Sequence, residues 1–256
     1  MKKQKFSLIL VAMLMMVQGI AQGQVKIYTK KARMDDFNSK TTKVVAAGQS
    51  ITAMTLQKEL EGRWLCSPYE ICSESEYEEL KSSNEYYFLY LSKENGIIFI
   101  NLDKGGKKDD PDNKAKPFDV VRIPVAAELA DGFADARFVG YALDVVQNFA
   151  EDAMTSDKVG YNGLKSYNNK NLGGRRVVLD EQAAWEALEN GDANTLAGIV
   201  IAPLSIDFDS YCYKMLISTD THELFYFKKE KYSTPADKQF TDKERNSINK
   251  RNGNIL

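Results

Sequence analysis

Asn95-Gly96 separates two apolar, β-prone runs, Tyr86–Leu91 and Ile97–Leu102. The pair supplies both positive-φ residues of a type I′ turn, which joins two antiparallel strands in a fixed register. The residues before it are equally directive. Ser67-Pro68 opens a short strand over Tyr69–Cys72, since a proline is tolerated at a strand's start. Ser73 precedes Glu76 by three residues, the spacing of a reciprocal capping box. Tyr77 and Leu80 then give a short helix one apolar stripe. Trp64–Leu102 thus reads strand, helix, hairpin.

Similar signals recur along the chain. A strand at 43–47 is broken by Gly48, and Ser50 is placed to cap a helix in which Leu56, Leu60 and Trp64 recur every four residues. Trp64 is expected to anchor a core. Phe118–Val125 reads as a strand, with Pro124 suiting an edge or an end. Phe138, Ala142, Val145, Phe149 and Ala153 mark a helix over 135–155. Tyr161–Gly174, rich in Asn, Gly and Tyr, reads as a long loop. Arg176–Leu179 is a short strand, and Asp180 caps a helix that ends at Asn190-Gly191. Ala197–Leu204 is a buried strand. Tyr211–Ser218 and Glu223–Lys229 form a second hairpin around Thr219–Thr221.

Both series run βαβαββ, the second with one strand more. The expected fold is mixed α/β: a tandem pair of βαβαββ units forming mixed sheets packed with helices. Residues 22–117 would form the first unit, including a surface loop at 103–117, and residues 118–229 the second. Residues 230–256 read as a basic polar tail. From Lys228 onward eight Lys or Arg stand against four acids. Thr241 and Glu244 have capping-box spacing, but the helix they would open lacks an apolar stripe, so the tail is expected to fray or remain disordered. Its charge suits weak contact with an anionic membrane surface.

The N-terminus reads as a targeting segment. Lys2, Lys3 and Lys5 precede the uncharged, mostly apolar run Phe6–Val17, and Gly19 and Ala21 are the small residues of a cleavage site. Cleavage after Ala21 would leave 235 residues, move the formal charge from −2 to −5, and place the protein in the periplasm or outside the cell. Nucleic acid is not an expected partner of an exported, net acidic chain. Cys66, Cys72 and Cys212 are odd in number and read as small buried hydrophobes, with a Cys72–Cys212 bridge open if their strands meet.

Motifs for catalysis, metals and cofactors are weak. His222, the single histidine, lies in a hairpin turn with no Gly-x-Ser-x-Gly elbow to supply a nucleophile. Asp109, Asp110, Asp112 and Asn113 lack the glycine and terminal glutamate of a calcium loop. Gly173-Gly174 precedes a strand, whereas a phosphate loop opens a helix. We therefore expect no cofactor, no metal and no catalytic residue. Tyr161 and Tyr167, in a loop without an evident core role, are the candidate ligand-binding residues.

The Lys-rich leader ending near Ala21-Gln22, Lys26–Lys31 (KIYTKK), Arg63-Trp64 before Ser67–Glu70, and Tyr86–Leu89 carry a resemblance. With these features the chain is similar to a group of exported Bacteroidota proteins to which no activity is attached. The order of elements is more distantly similar to periplasmic α/β domains of envelope-assembly proteins, such as the curli secretion subunit. The resemblance implies export and transfers no catalytic residue. The expected function is that of a soluble envelope protein, an interaction or assembly module with an envelope protein as partner. The alternatives are a carboxylate-based hydrolase and an oligosaccharide- or peptide-binding protein.

Overall fold

The computed structural model describes residues 34–45, 48, 50–106, 116–129 and 134–256. The expected leader at 1–21 and the acidic residues Asp109–Asn113 lie outside them. The fold is mixed α/β and carries two five-stranded mixed sheets.

The first sheet has the order β2-β1-β3-β4-β5. Its strands are β1 (Thr41–Val45), β2 (Tyr69–Cys72), β3 (Tyr86–Glu94), β4 (Ile97–Lys104) and β5 (Phe118–Ala127). β1 pairs in parallel with β2 and β3, and β3, β4 and β5 form an antiparallel meander. The Asn95-Gly96 turn forms as its sequence requires, both residues at positive φ. Helix α1 (Ile51–Arg63) is capped by Ser50, whose hydroxyl accepts from the Ala53 N–H. Helix α2 (Glu74–Leu80) opens on the Ser73–Glu76 capping box. Ahead of β1, Met34 and Phe37 are fully buried, and Phe37 stacks edge-on against Trp64 and Tyr87. The residues just ahead of β1 thus feed the core.

Helix α3 (Val139–Thr155) follows β5, and α4 (Asp157–Asn162) leads into a 3-10 segment at Gly163–Asn169. The expected long loop after Tyr161 is therefore mostly helical. The second sheet has the order β10-β6-β7-β8-β9. Its strands are β6 (Arg176–Val178), β7 (Thr195–Ile201), β8 (Tyr211–Ser218), β9 (Leu224–Lys231) and β10 (Asn254–Ile255). Helix α5 (Glu181–Asn190), capped by Asp180 and closed by left-handed Gly191, links β6 to β7. Helix α6 (Asp242–Lys250) precedes β10.

The two sheets share a pairing scheme, two parallel contacts followed by two antiparallel ones. They reach it by different routes. The first takes its outer parallel strand from between β1 and β3, the second from its C-terminal end. Two sequence-based assignments change accordingly. β5, grouped by sequence with the second unit, is the edge strand of the first sheet, because its backbone pairs with β4. The segment 230–256 is folded, not frayed. Phe240 and Ile248 pack on Leu196, Leu216 and Tyr226, on the face of the second sheet turned away from the main core.

A buried charge network fixes that segment. Lys214, on β8, has 0% exposure. Its ammonium donates to the Gln239 carbonyl and to Glu244 and pairs with Glu230. Glu244 also accepts from the Thr241 N–H at 2.8 Å, the Tyr226 hydroxyl at 3.0 Å and Lys228 at 3.0 Å. Burial alone would raise the Glu244 pKa. The donors from Thr241 and Lys228, with the charge of Lys214, outweigh it and hold the carboxyl at about 2. The three cysteines are free and buried, and burial pushes the Cys66 thiol up to about 12. Cys72 and Cys212 sit on different sheets, so no bridge forms between them.

Two outcomes follow for stability. Ile248→Ala is expected to cost about 2–5 kcal/mol in urea unfolding, the range for a fully buried aliphatic side chain. Glu244 contributes stability that is complete above its ordinary pKa of 4.5 and lost as pH falls toward about 2. Unfolding midpoints measured across that window should fall for the native chain and change less for Glu244→Gln.

Candidate functional site

α3 carries two faces at helical spacing. Val139, Ala142, Leu143, Val146, Phe149, Ala150 and Ala153 are buried in the main core. Asp144, Asn148 and Asp152 recur every four residues along another stripe, with Glu151 beside them. The 3-10 segment and the β8–β9 hairpin border the C-terminal part of this stripe and leave an open cleft of about 140 Å³. Asn148, Glu151, Asp152, Tyr167, Lys170 and Glu223 supply its polar lining, and Val145 and Leu224 its apolar part.

Tyr167 lies here in a role the sequence did not suggest. It is 3% exposed and its hydroxyl donates to Asp152 at 2.8 Å. Burial and that carboxylate push its pKa upward, so it stays a neutral donor. Tyr161 is 88% exposed. One ring is a core residue and the other a surface residue, so the two candidate residues do not share one open surface. The misreading has a clear cause: the segment's Asn and Gly content resembles a loop, while Leu164 and Tyr167 turn inward against Phe149.

The hairpin turn is held onto α3 by the single histidine. His222 adopts φ 54°. Its Nδ1 lies 2.7 Å from an oxygen of Asp144, and its ring meets Tyr141 edge-on at 4.9 Å. The same Asp144 oxygen accepts from Arg63 at 2.6 Å, and Arg63 donates to Glu59 at 2.6 Å. The chain Glu59–Arg63–Asp144–His222 therefore ties α1, α3 and the second hairpin together. The pair resembles the base half of a nucleophilic triad. Its ring, however, leans on an aromatic neighbour, and the dyad positions the turn. Sequence flagged His222 as a turn residue. The partner, 78 residues away, had no local signal.

A second acidic feature lies on the first sheet. Asp103 on β4 is buried opposite Asp119 on β5. Burial pushes its carboxyl up to about 6, with the Tyr90 hydroxyl donating against that shift and Asp119 adding to it. An acid so enclosed is poorly placed to reach a substrate.

An apolar surface forms where the sheets' loops meet. Between β7 and β8, Leu204 is 60% exposed and Phe208 87%, with Ile206 exposed between them. Their backbone is fixed. Asp207 N–H donates to Ser210 Oγ at 2.9 Å, Asp209 N–H to Asp207 Oδ1 at 3.0 Å, and Tyr232 N–H to the Ser210 carbonyl at 3.0 Å. Asn95, from the β3–β4 turn, donates to the Asp209 carbonyl at 3.1 Å. Lys231 lies over the Phe208 ring and donates to its carbonyl. Gly96 sits at φ 73°, and a Cβ there would stand 3.1 Å from Pro203 Cβ. The turn that organises the first hairpin also seats this loop.

Among the described residues, no helix is long and apolar enough to cross a membrane, and no three His, Cys, Asp or Glu side chains are placed to hold a metal ion. No protein-family model, curated protein or solved structure matches the chain. Asp144→Ala leaves Arg63 and His222 without their shared acceptor. It should lower unfolding free energy by about 1–3 kcal/mol and speed amide exchange through residues 218–224, measured by hydrogen–deuterium exchange.

Proposed function

We propose that this protein is an exported interaction module that docks a protein partner of the cell envelope through the β7–β8 loop. The observation that supports this reading is the row Leu204, Ile206 and Phe208, exposed on a backbone that hydrogen bonds hold in place. Large apolar side chains exposed together on one short loop are the kind of surface that partners bury. A loop already fixed loses little conformational entropy on binding, so more of the apolar burial appears as affinity. The lysine-rich leader and its small-residue cleavage site support export. The cleft beside α3, at about 140 Å³, falls below the ~300–1,000 Å³ typical of sites that enclose a drug-sized ligand. That size disfavours the hydrolase and oligosaccharide readings at this position.

The test compares tagged native protein with Leu204→Ser/Phe208→Ser after crosslinking in intact cells, read by quantitative mass spectrometry. Exposed substitutions of this kind change stability by about 0.5 kcal/mol or less, so both proteins should unfold alike. A partner recovered in stoichiometric amount with the native chain and lost with the variant is the expected result. Equal recovery with both proteins would remove the loop from the contact.

A further inference from the structure

We infer that the place where the turn before β6 meets the end of α6 is a binding site for a phosphate-type oxyanion, held by Arg251 and Arg175. This site is separate from the loop proposed as the docking surface. Arg251 follows α6, and its Nη1 donates to the Phe225 carbonyl at 2.9 Å and the Lys170 carbonyl at 3.4 Å. Those bonds fix the guanidinium by one corner. Its other donors, Nε and Nη2, are buried and have no hydrogen-bond partner. The two lie on one edge of the guanidinium plane, the fork that grips two oxygens of a carboxylate or phosphate side by side. Arg175 repeats the condition. Its Nη1 reaches the Leu172 carbonyl at 3.4 Å, its guanidinium stands 4.7 Å from the Phe225 ring centroid, and its Nε is buried without a partner. Among the described residues, four buried side-chain polar atoms lack a partner, and three belong to these two arginines. Buried donors left empty are costly, and an ion or ordered water is what satisfies them.

The backbone does not make this site. The Gly173 N–H donates to the Asn171 side chain and the Gly174 N–H to the Asn252 carbonyl, each at 2.7 Å, so neither amide is left for a phosphate loop. The Gly174 bond, with the Leu172 N–H to the Arg251 carbonyl at 2.7 Å, stitches the turn to the end of α6 and brings both arginines to Phe225. Charge then separates an anion from water. Among the described residues neither arginine has an ion-pair partner. Burial lowers the Arg251 pKa, with Tyr226 working the other way, yet a guanidinium keeps its charge. Water would fill the hydrogen bonds and leave two cations uncompensated, whereas a dianion answers both. The Lys170 ammonium, 5.1 Å from the Phe225 ring centroid, adds a third positive charge. Lys170 also borders the acids of the α3 cleft, so the two arginines carry the assignment. Its side chain is held by ring contacts to Tyr167 and Phe225 and can swing aside to admit the ligand.

Calorimetric titration of the full-length protein with inorganic phosphate and with acetate, at fixed ionic strength, tests the assignment. Co-sedimentation with phosphatidylcholine vesicles, with and without phosphatidic acid, runs beside it. Phosphate should bind saturably and at least about tenfold more tightly than acetate, because a second negative charge meets the same cations. Arg251→Lys keeps a charge but loses the fork, and should weaken phosphate at least about tenfold. Arg175→Gln should weaken it as well. Thermal unfolding of each variant checks that it is folded, and the ranking of phosphate over acetate on the native chain stands without any variant. Binding of free phosphate assigns a soluble ligand. Retention on phosphatidic acid vesicles alone, lost in Arg251→Lys, assigns a lipid headgroup, and either result upholds the site. Phosphate bound no better than acetate, or equally well by both variants, would overturn it. So would the absence of binding to phosphate and to both kinds of vesicle.

Discussion

An apolar sheet face must be covered, and two five-stranded sheets present four faces. This demand governs the arrangement of the chain. The main core is continuous through both sheets, and Phe99 on β4 meets Tyr213 on β8 edge-on at 5.4 Å. α1, α3 and α5 contribute to the same core. The second sheet still has one apolar face left over, and the C-terminal segment covers it with Phe240 and Ile248. Lys214 makes that cover specific. A buried charge is costly unless it is paired and hydrogen-bonded, and here Glu230, Glu244 and the Gln239 carbonyl all meet it. Few alternative placements of α6 would satisfy Lys214, which explains how a polar helix holds one position.

What the sequence disclosed follows the range of the interactions involved. The Ser73–Glu76 box, the Asp180 cap, the Gly191 stop and the Asn95-Gly96 turn were legible because each is settled within a few residues. β5 was misgrouped because strand pairing is decided across the sheet, and the Phe118–Val125 pattern fits either neighbour. The tail was misread because its apolar residues are few and spaced across a turn, a helix and a strand. Its Thr241–Glu244 box was visible, but the buried lysine that makes Glu244 decisive lies 30 residues earlier.

The candidate sites divide in the same way. The acids of α3 were readable as its polar stripe, but Lys170 and Glu223 come from elements whose approach no local pattern announces. Tyr167 was singled out for lacking a core role, and the structure gives it one through Asp152 and Phe149. His222 was found because it is the single histidine, while its bond to Asp144 depends on how the hairpin meets α3. Leu204, Ile206 and Phe208 extend a strand-like pattern past β7, and the end of pairing at Ile201 leaves them exposed.

The glycine at the first hairpin's tip has a wider consequence. Gly96 lets one sheet's turn press against Pro203 in the other sheet's loop, and His222 fastens the second sheet's turn to a helix packed beside the first. Each half thus grips the other at a position its own strands do not need. Neither sheet is an excisable domain, and melting one exposes apolar surface and breaks contacts in both. The two halves should therefore unfold together, so that damage at one turn is felt as a loss of stability across the whole molecule.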